Sequence, residues 1–527
     1  MSIEPIGFIV LLLGLLGMVN GARFAVATLC LSTLLGAAAA LQLPALGGSS
    51  IQPSHLLVLF LVAAALLRPA QTQAMLTSLA YPGPGFWFAA YILFSVASSF
   101  FLPRIFAGAT LVYSSARDAT GMMSTVAAPL SPGSSNLSQS VYLLGDLACF
   151  AVISGLARLG YARFIALQLI VASIACFALA LIDIGTFLTD QSYLLDVIRN
   201  ANYTMHTAET ISGFKRIVGS FPEASTYGAV ALAYFSFTLM LWLERVQSRM
   251  AGLATAFHRP DDRPSHIDNR LYRRHLHCLH VRAILLETTD RRPGHDPARD
   301  TPGDPLFLIP CAIVALSLVP DAWDSIAGLV NTTLSDKLQS QSGEERTAWN
   351  TLALIAFVDT ATFGAGLGTV RASSFIAALL SNVGLTGTLL FAAFLYSLVR
   401  ASGRHRSGDR EMHAIGNAAV MASIAQVASA AISGSGTDLG LLFSTTAGLA
   451  AGCLAATNTS PRRATRSLAN RTPLETSTSL MRAPDVLNAM TPAVELRHGV
   501  AWQSHQAVGA PARGRSRPAA PHLSRIA

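Results

Sequence analysis

Arg163-Phe-Ile-Ala-Leu-Gln-Leu-Ile-Val-Ala-Ser-Ile-Ala-Cys-Phe-Ala-Leu-Ala-Leu-Ile-Asp183 carries no charge between its two ends. Crossing about 30 Å of hydrocarbon takes roughly 20 apolar residues in a helix, so the run 163–185 reads as a spanning helix. A helix suits the lipid interior because it satisfies its own backbone. Directly upstream, the run 139–158 ends at Arg158, so two arginines bracket a short connection. Runs of the same kind recur near 5–22, 24–43, 54–68, 86–103, 224–243, 306–320, 374–399, 415–433 and 437–457, those at 54–68 and 306–320 being short. The expected fold is therefore all-α: a polytopic membrane bundle of about eleven spans.

Composition agrees. Of 527 residues, 52% are hydrophobic and 13% charged, against roughly 25% charged in soluble proteins. The +8 net charge gathers in 245–300, 400–410 and the tail past 460. That placement suits an anionic cytoplasmic membrane face and not nucleic acid. Met1-Ser-Ile-Glu-Pro5 has no basic n-region, so 5–20 reads as a retained span and not a cleaved signal. Cys30, Cys149, Cys176, Cys311 and Cys453 sit in apolar runs and read as buried thiols, with no CxxC pair or disulfide framework.

Lysine and arginine set the expected orientation. Arg158 and Arg163, then Arg400, Arg404, Arg406 and Arg410, then Arg462, Arg463 and Arg466 all become cytoplasmic if the N-terminus is outside and the C-terminus inside. Loops 104–138, 186–223 and 321–373 then face out. Four regions follow. Residues 1–245 hold the N-terminal helices with external loops 104–138 and 186–223, and 306–459 hold the C-terminal helices with loop 321–373. Residues 460–527 read as a disordered basic tail. Between the two helical regions stands 246–305, rich in Arg, His, Asp and Pro with no amphipathic pattern. It reads either as a disordered cytoplasmic loop or as a reading-frame slip. His275, His277, Cys278 and His280 are zinc-donor types, but their spacing matches no standard site, and no metal is expected.

Two segments carry the candidate chemistry. Arg216-Ile-Val-Gly-Ser-Phe-Pro-Glu-Ala-Ser-Thr-Tyr-Gly228 places Lys215, Arg216 and Glu223 at the edge of a span. Pro222 favours an extended Phe221, Ser225 or Thr226 is expected to cap the helix, and the helix dipole favours an anionic Glu223. Gly364-Ala-Gly-Leu-Gly-Thr-Val-Arg371-Ala-Ser-Ser374 repeats the pattern before a long helix containing Ser381-Asn-Val-Gly-Leu-Thr-Gly387. Glycine turns at helix starts can present amides to anions, and an arginine fork matches phosphate. Lys215, Gly219, Ser225, Gly366, Gly368 and Ser373 are the candidate substrate-binding residues. Asp146 and Asp183, in or near apolar runs, are further candidates, each with a structural alternative: Asp183 at an interface, Asp146 bonding a neighbouring helix.

At these two segments, and at Leu380-Ser-Asn-Val-Gly384, the sequence resembles the O-antigen ligase and polysaccharide polymerase superfamily of bacterial inner membranes. The likeness runs loosely from about 85 to 455. It implies transfer of a glycan from a polyprenyl-diphosphate donor to a glycan or lipid acceptor at the outer face, without cofactor or metal. It further implies that Arg216 and Arg371 hold the diphosphate and that Glu223 orients the acceptor or takes its proton. Membrane lipids and a chain-length regulator protein are the other partners it suggests. The chain departs from the pattern after Leu243, where further apolar sequence is expected. A secondary transporter, suggested by Asp146, and the inactive product of a damaged gene are the alternatives.

Overall fold

The computed structural model describes residues 2–43, 49–117, 123–202, 205–211, 214–257, 341–402 and 409–469. The run 306–320, most of 246–305 with its His/Cys quartet, and the tail from 470 lie outside the described residues. What is described is mostly helical: α1 (Pro5–Asn20), α2 (Ala22–Ser32), α3 (Pro53–Leu66), α4 (Pro69–Ser78), α5 (Pro84–Ile105), α6 (Ser134–Leu156), α7 (Ala162–Leu188), α8 (Ala224–Leu243), α9 (Ser248–Phe257), α10 (Gln341–Asp359), α11 (Phe375–Ser402), α12 (Arg410–Ser433) and α13 (Gly440–Ala469).

Among the described residues, five helical segments are long and apolar enough to cross a membrane: Pro84–Ile105, Ser134–Leu188, Ala224–Leu243, Phe375–Ser402 and Arg410–Ser433. The pair α3–α4, bent by 115° at Leu67 and Arg68, makes a sixth if it is one span. Shorter apolar helices run over Pro5–Asn20, Ala22–Ser32 and Gly440–Ala455. Ser134–Leu188 has 55 residues, about 80 Å of helix, far more than one crossing needs. Gly160, at φ 92°, interrupts it. Its halves take different neighbours: α6 packs on α3, α4 and α5, and α7 on α2 and α8.

The bundle buries an aromatic centre where Phe88 meets Phe394 and Phe150 at 4.6 and 5.1 Å between ring centroids, with Tyr91, Phe391 and Phe443 around them. Small residues bring helices close elsewhere. A Cβ on Gly452 of α13 would lie 2.5 Å from Ala157 Cβ and 2.6 Å from Ser154 O, and one on Gly448 would lie 2.8 Å from Phe150 O. This small-xxx-small contact is how helices associate when lipid removes the hydrophobic drive between them. Outward, Phe8, Leu12 and Val19 on α1, Leu93 and Phe101 on α5, and Leu389 on α11 are exposed, as lipid-facing side chains would be.

Strands depart from the all-α expectation. β1 (Ser2–Ile3), β2 (Leu41–Leu43) and β3 (Ser49–Ile51) form a small antiparallel sheet, with Ile3 opposite Leu41 and Leu41 opposite Ile51. β4 (Leu111–Arg117) and β5 (Met123–Pro129) make a hairpin inside 104–138, and β6 (Thr210–Ile211) and β7 (Phe214–Lys215) a shorter one inside 186–223. The run 24–43 is helical only to Ser32, because the next segment spends its backbone elsewhere. Ala37 N donates to Ser220 O, Ala39 N to Asn200 Oδ1, and Ala37 O accepts from Ala201 N. Residues 321–373 are not all loop, since α10 occupies Gln341–Asp359.

One end of the bundle gathers the connections. The ends of α5, α7, α10 and α12 and the starts of α6, α8, α11 and α13 meet there, with the β4–β5 hairpin beside α10.

Candidate functional site

Asp183, near the end of α7, organises the first segment. It is fully buried, and its carboxylate pairs with Arg199 Nη2 at 2.6 Å and Lys215 Nζ at 2.5 Å. Its second oxygen accepts from the amides of Val218 and Gly219 at 3.0 and 3.1 Å. Arg199 closes the ring by donating to Gly219 O. Gly219 takes φ 57°, a left-handed turn that glycine adopts without strain. Lys215 and Gly219 are thus parts of an anchor: a buried carboxylate with two cations and two amides is a satisfied network. Phe221, beyond the turn, packs into the bundle against Gly36, where a Cβ would lie 2.7 Å from its ring.

The anchored loop delivers Glu223 to the N-cap of α8. Ser225 and Thr226 were expected to cap this helix, but the roles are reversed. Both lie in the first turn, and both hydroxyls donate to Glu223 Oε1. The reason is positional: the chain turns helical at Ala224, one residue too early for Ser225 to flank it. The hydroxyls fix the carboxylate at the positive end of the helix dipole.

Arg371 stands opposite. Its backbone amide donates to Tyr113 O on β4 at 2.8 Å. Its guanidinium lies over the Trp349 ring of α10, 5.0 Å from the centroid, and Tyr113 packs on that same ring. Burial lowers the Arg371 guanidinium from its ordinary range, and the charge of Glu223 works in the opposite direction. The two segments, far apart in sequence, therefore lie within electrostatic reach of each other through Glu223 and Arg371.

Arg216 is placed differently. Its Nη1 pairs with Glu209 Oε2, whose other oxygen holds His206 Nδ1 at 2.7 Å. His206 N in turn donates to Pro222 O at 2.8 Å, which ties this trio to the residue before Glu223. Arg216 Nε has no partner among the described residues.

The glycine turn 364–368 is threaded among helices. Gly364, Gly366 and Gly368 all have positive φ, and Gly384 (φ 65°) breaks α11. The break frees carbonyls, and the turn takes them: Ala365 N donates to Ser381 O and Gly366 N to Asn382 O. Asn382 Oδ1 then accepts from the amides of Thr369 and Val370, while Asn136 Nδ2 donates to Leu367 O and Ser135 Oγ to Gly368 O. Ser373 N donates to Asn350 Oδ1. A Cβ on Gly366 would lie 2.5 Å from Pro103, and one on Gly368 2.8 Å from Ser135 O. So these glycines serve close packing, and the amides of Gly366 and Ser373 are already taken by the protein. The turn leads directly to Arg371 and places it.

Trp349 and Glu209 were not singled out in the sequence, and Asn382 entered it only within the run Leu380-Ser-Asn-Val-Gly384. Trp349 and Glu209 sit in polar stretches with no period to mark them, whereas Asn382, polar within an apolar helix, carried a readable signal. No protein-family model, no curated protein and no solved structure matches this chain.

Proposed function

We propose that the chain is a membrane glycosyltransferase that polymerises or ligates a glycan carried on a polyprenyl diphosphate, at the periplasmic face of a bacterial inner membrane. In this reading it has about eleven spans, its N-terminus outside and its C-terminus in the cytoplasm. The observation that carries it is that the charge of Glu223, its carboxylate held by two hydroxyls, acts on the Arg371 guanidinium stacked over Trp349, beside an apolar bundle.

The chemistry follows from those two groups. An acceptor hydroxyl attacks the anomeric carbon, and the bond from that carbon to the diphosphate oxygen breaks. Glu223 takes the hydroxyl proton, and Arg371, with Arg216 nearby along the loop, stabilises the negative charge arriving on the diphosphate. Preplaced guanidinium groups supply cationic charge without a metal in this scheme. A lipid-linked donor reaches such a site from the membrane, and its glycan extends into the loops.

Glu223→Gln preserves the shape of the side chain and removes its basicity. Membranes carrying this variant should extend lipid-linked glycan about 100-fold more slowly or worse, with the protein inserted at normal levels. Wild-type extension by Glu223→Gln would refute the assignment.

A secondary transporter is the second reading, favoured by Asp146, a buried carboxylate within an apolar helix. Solute uptake by proteoliposomes with no glycan product would select it.

A further inference from the structure

A groove of about 590 Å³ runs along α10, open on one side. Its size falls within the roughly 300–1,000 Å³ of small-molecule sites. Glu344, Thr347, Thr351, Leu352 and Ile355 line it at the spacing of one helix face, and Tyr113 of β4 adds an aromatic ring. From Glu344 to Ile355 the helix rises about 16 Å, longer than a single pyranose ring. The far face of α10 explains why this one stays open. Ala353 and Ala356 are buried there, and Asn350 Oδ1 accepts from Ser373 N, so the helix is held from behind. Glu344, Thr347, Thr351 and Ile355 remain exposed.

The lining changes character along its length. Its first turns offer a carboxylate and two hydroxyls. Thr347 Oγ1 donates to Gly343 O at 2.9 Å, which leaves its lone pairs free to accept. Leu352 and Ile355 then present aliphatic surface. Among the described residues no cation pairs with Glu344, and no lysine or arginine lines the groove.

Tyr113 joins this groove to the site already described. Its ring packs on Trp349 at 6.3 Å between centroids, and Trp349 carries the Arg371 guanidinium. Its carbonyl accepts from Arg371 N at 2.8 Å. A single residue therefore separates the groove from the cation proposed to hold the diphosphate.

Charge decides what the groove can take. A phosphate would meet the Glu344 carboxylate with no cation to offset it, and like charges in contact are costly. A sugar hydroxyl donates to that carboxylate in a charge-assisted bond, and the threonines serve further hydroxyls. The apolar C–H face of the sugar ring covers Tyr113 and the aliphatic side chains, as apolar lining with a few placed polar groups would favour. We propose that the groove is a glycan subsite, which binds an oligosaccharide of neutral or amino sugars beside Arg371. Its part in transfer rests on the transferase reading, whereas its binding of sugar does not. Tyr113 is the stacking platform, Glu344 and Thr351 supply hydrogen bonds, and Glu344 turns away acidic sugars.

Titration of the full chain in lipid nanodiscs, followed by saturation-transfer NMR, tests this. The probe is the glycan released by mild acid from the native cell's lipid-linked pool, which carries neither lipid nor diphosphate. The wild type should bind it, and Glu344→Gln and Tyr113→Ala should each bind about 10-fold more weakly. Thr351→Val should also weaken binding. A trisaccharide of galacturonic acid should bind Glu344→Gln about 10-fold more tightly than the wild type. No glycan binding by the wild type, or binding unchanged in the three variants, overturns the subsite. Equal affinity of wild type and Glu344→Gln for the acidic trisaccharide overturns the charge selection. Glu344 and Thr351 are exposed, so their variants decide even should Tyr113→Ala not fold. Wild-type glycan extension by Glu223→Gln would remove the transferase and leave these binding results standing, so the two failures are distinguishable.

Discussion

Asp183 shows how much one residue can organise. In sequence it is the charge that ends an apolar run, readable as an interface residue or as a functional one. In the structure its carboxylate accepts from Arg199, Lys215 and two backbone amides, so it fixes the turn that leads to Glu223. Removing one partner of a buried ion pair leaves the other uncompensated, at a cost of about 3–5 kcal/mol. Asp183→Asn should therefore lower the thermal midpoint of the detergent-solubilised protein substantially. Lys215→Ala should lower it less, because Arg199 remains on the carboxylate. Equal midpoints for Asp183→Asn and the wild type would show that the network is not structural. Lysine at 215 looked in the sequence like a phosphate ligand. Only the fold reveals a carboxylate waiting for it thirty-two positions upstream.

At the scale of elements, the apolar runs were the legible part. The helices over Pro84–Ile105, Ser134–Leu156, Ala162–Leu188, Ala224–Leu243, Phe375–Ser402 and Arg410–Ser433 fall where apolar runs predicted them. What stayed hidden depends on partners. The end of α2 at Ser32 follows from pairing of Ala37 and Ala39 with the loop at 200–220, which no local pattern announces. The β4–β5 hairpin lacks a strong alternation of large apolar side chains, and the break of α11 at Gly384 is set by a turn some twenty residues earlier. The contact of α13 on α6 is testable. Gly452→Leu places a branched side chain where even a Cβ would lie 2.5 Å from Ala157. Overpacking of this kind costs about 1–3 kcal/mol, sometimes more. The variant should unfold at lower temperature than Gly436→Ala, whose added Cβ meets nothing within 4 Å. Equal stability of the two would argue against close packing there.

For the whole molecule, the arginine-rich connections suggested one orientation, and the structure adds that the charge of Glu223 in one segment acts on Arg371 in the other. The proposed topology predicts that a cysteine at Ser131, exposed in the loop 104–138, reacts with an impermeant maleimide in intact cells, while one at Asp409 reacts only after lysis. The opposite pattern would invert the orientation and remove Arg371 from the periplasm. The site itself was half legible. Arg216, Glu223 and Arg371 stood out as charges at the edges of apolar runs, but only the fold brings the charge of Glu223 to bear on Arg371, sets Trp349 beneath the guanidinium and gives Arg216 to Glu209. The most direct test of a shared Glu223–Arg371 site is a double-mutant cycle on transfer from a lipid-diphosphate glycan by the purified protein. Groups that act as a unit lose little more together than the worse of them loses alone. Glu223→Gln, Arg371→Ala and the double variant should therefore all fall to nearly the same low rate. Losses that multiply, or a wild-type rate in either single variant, would contradict a common site.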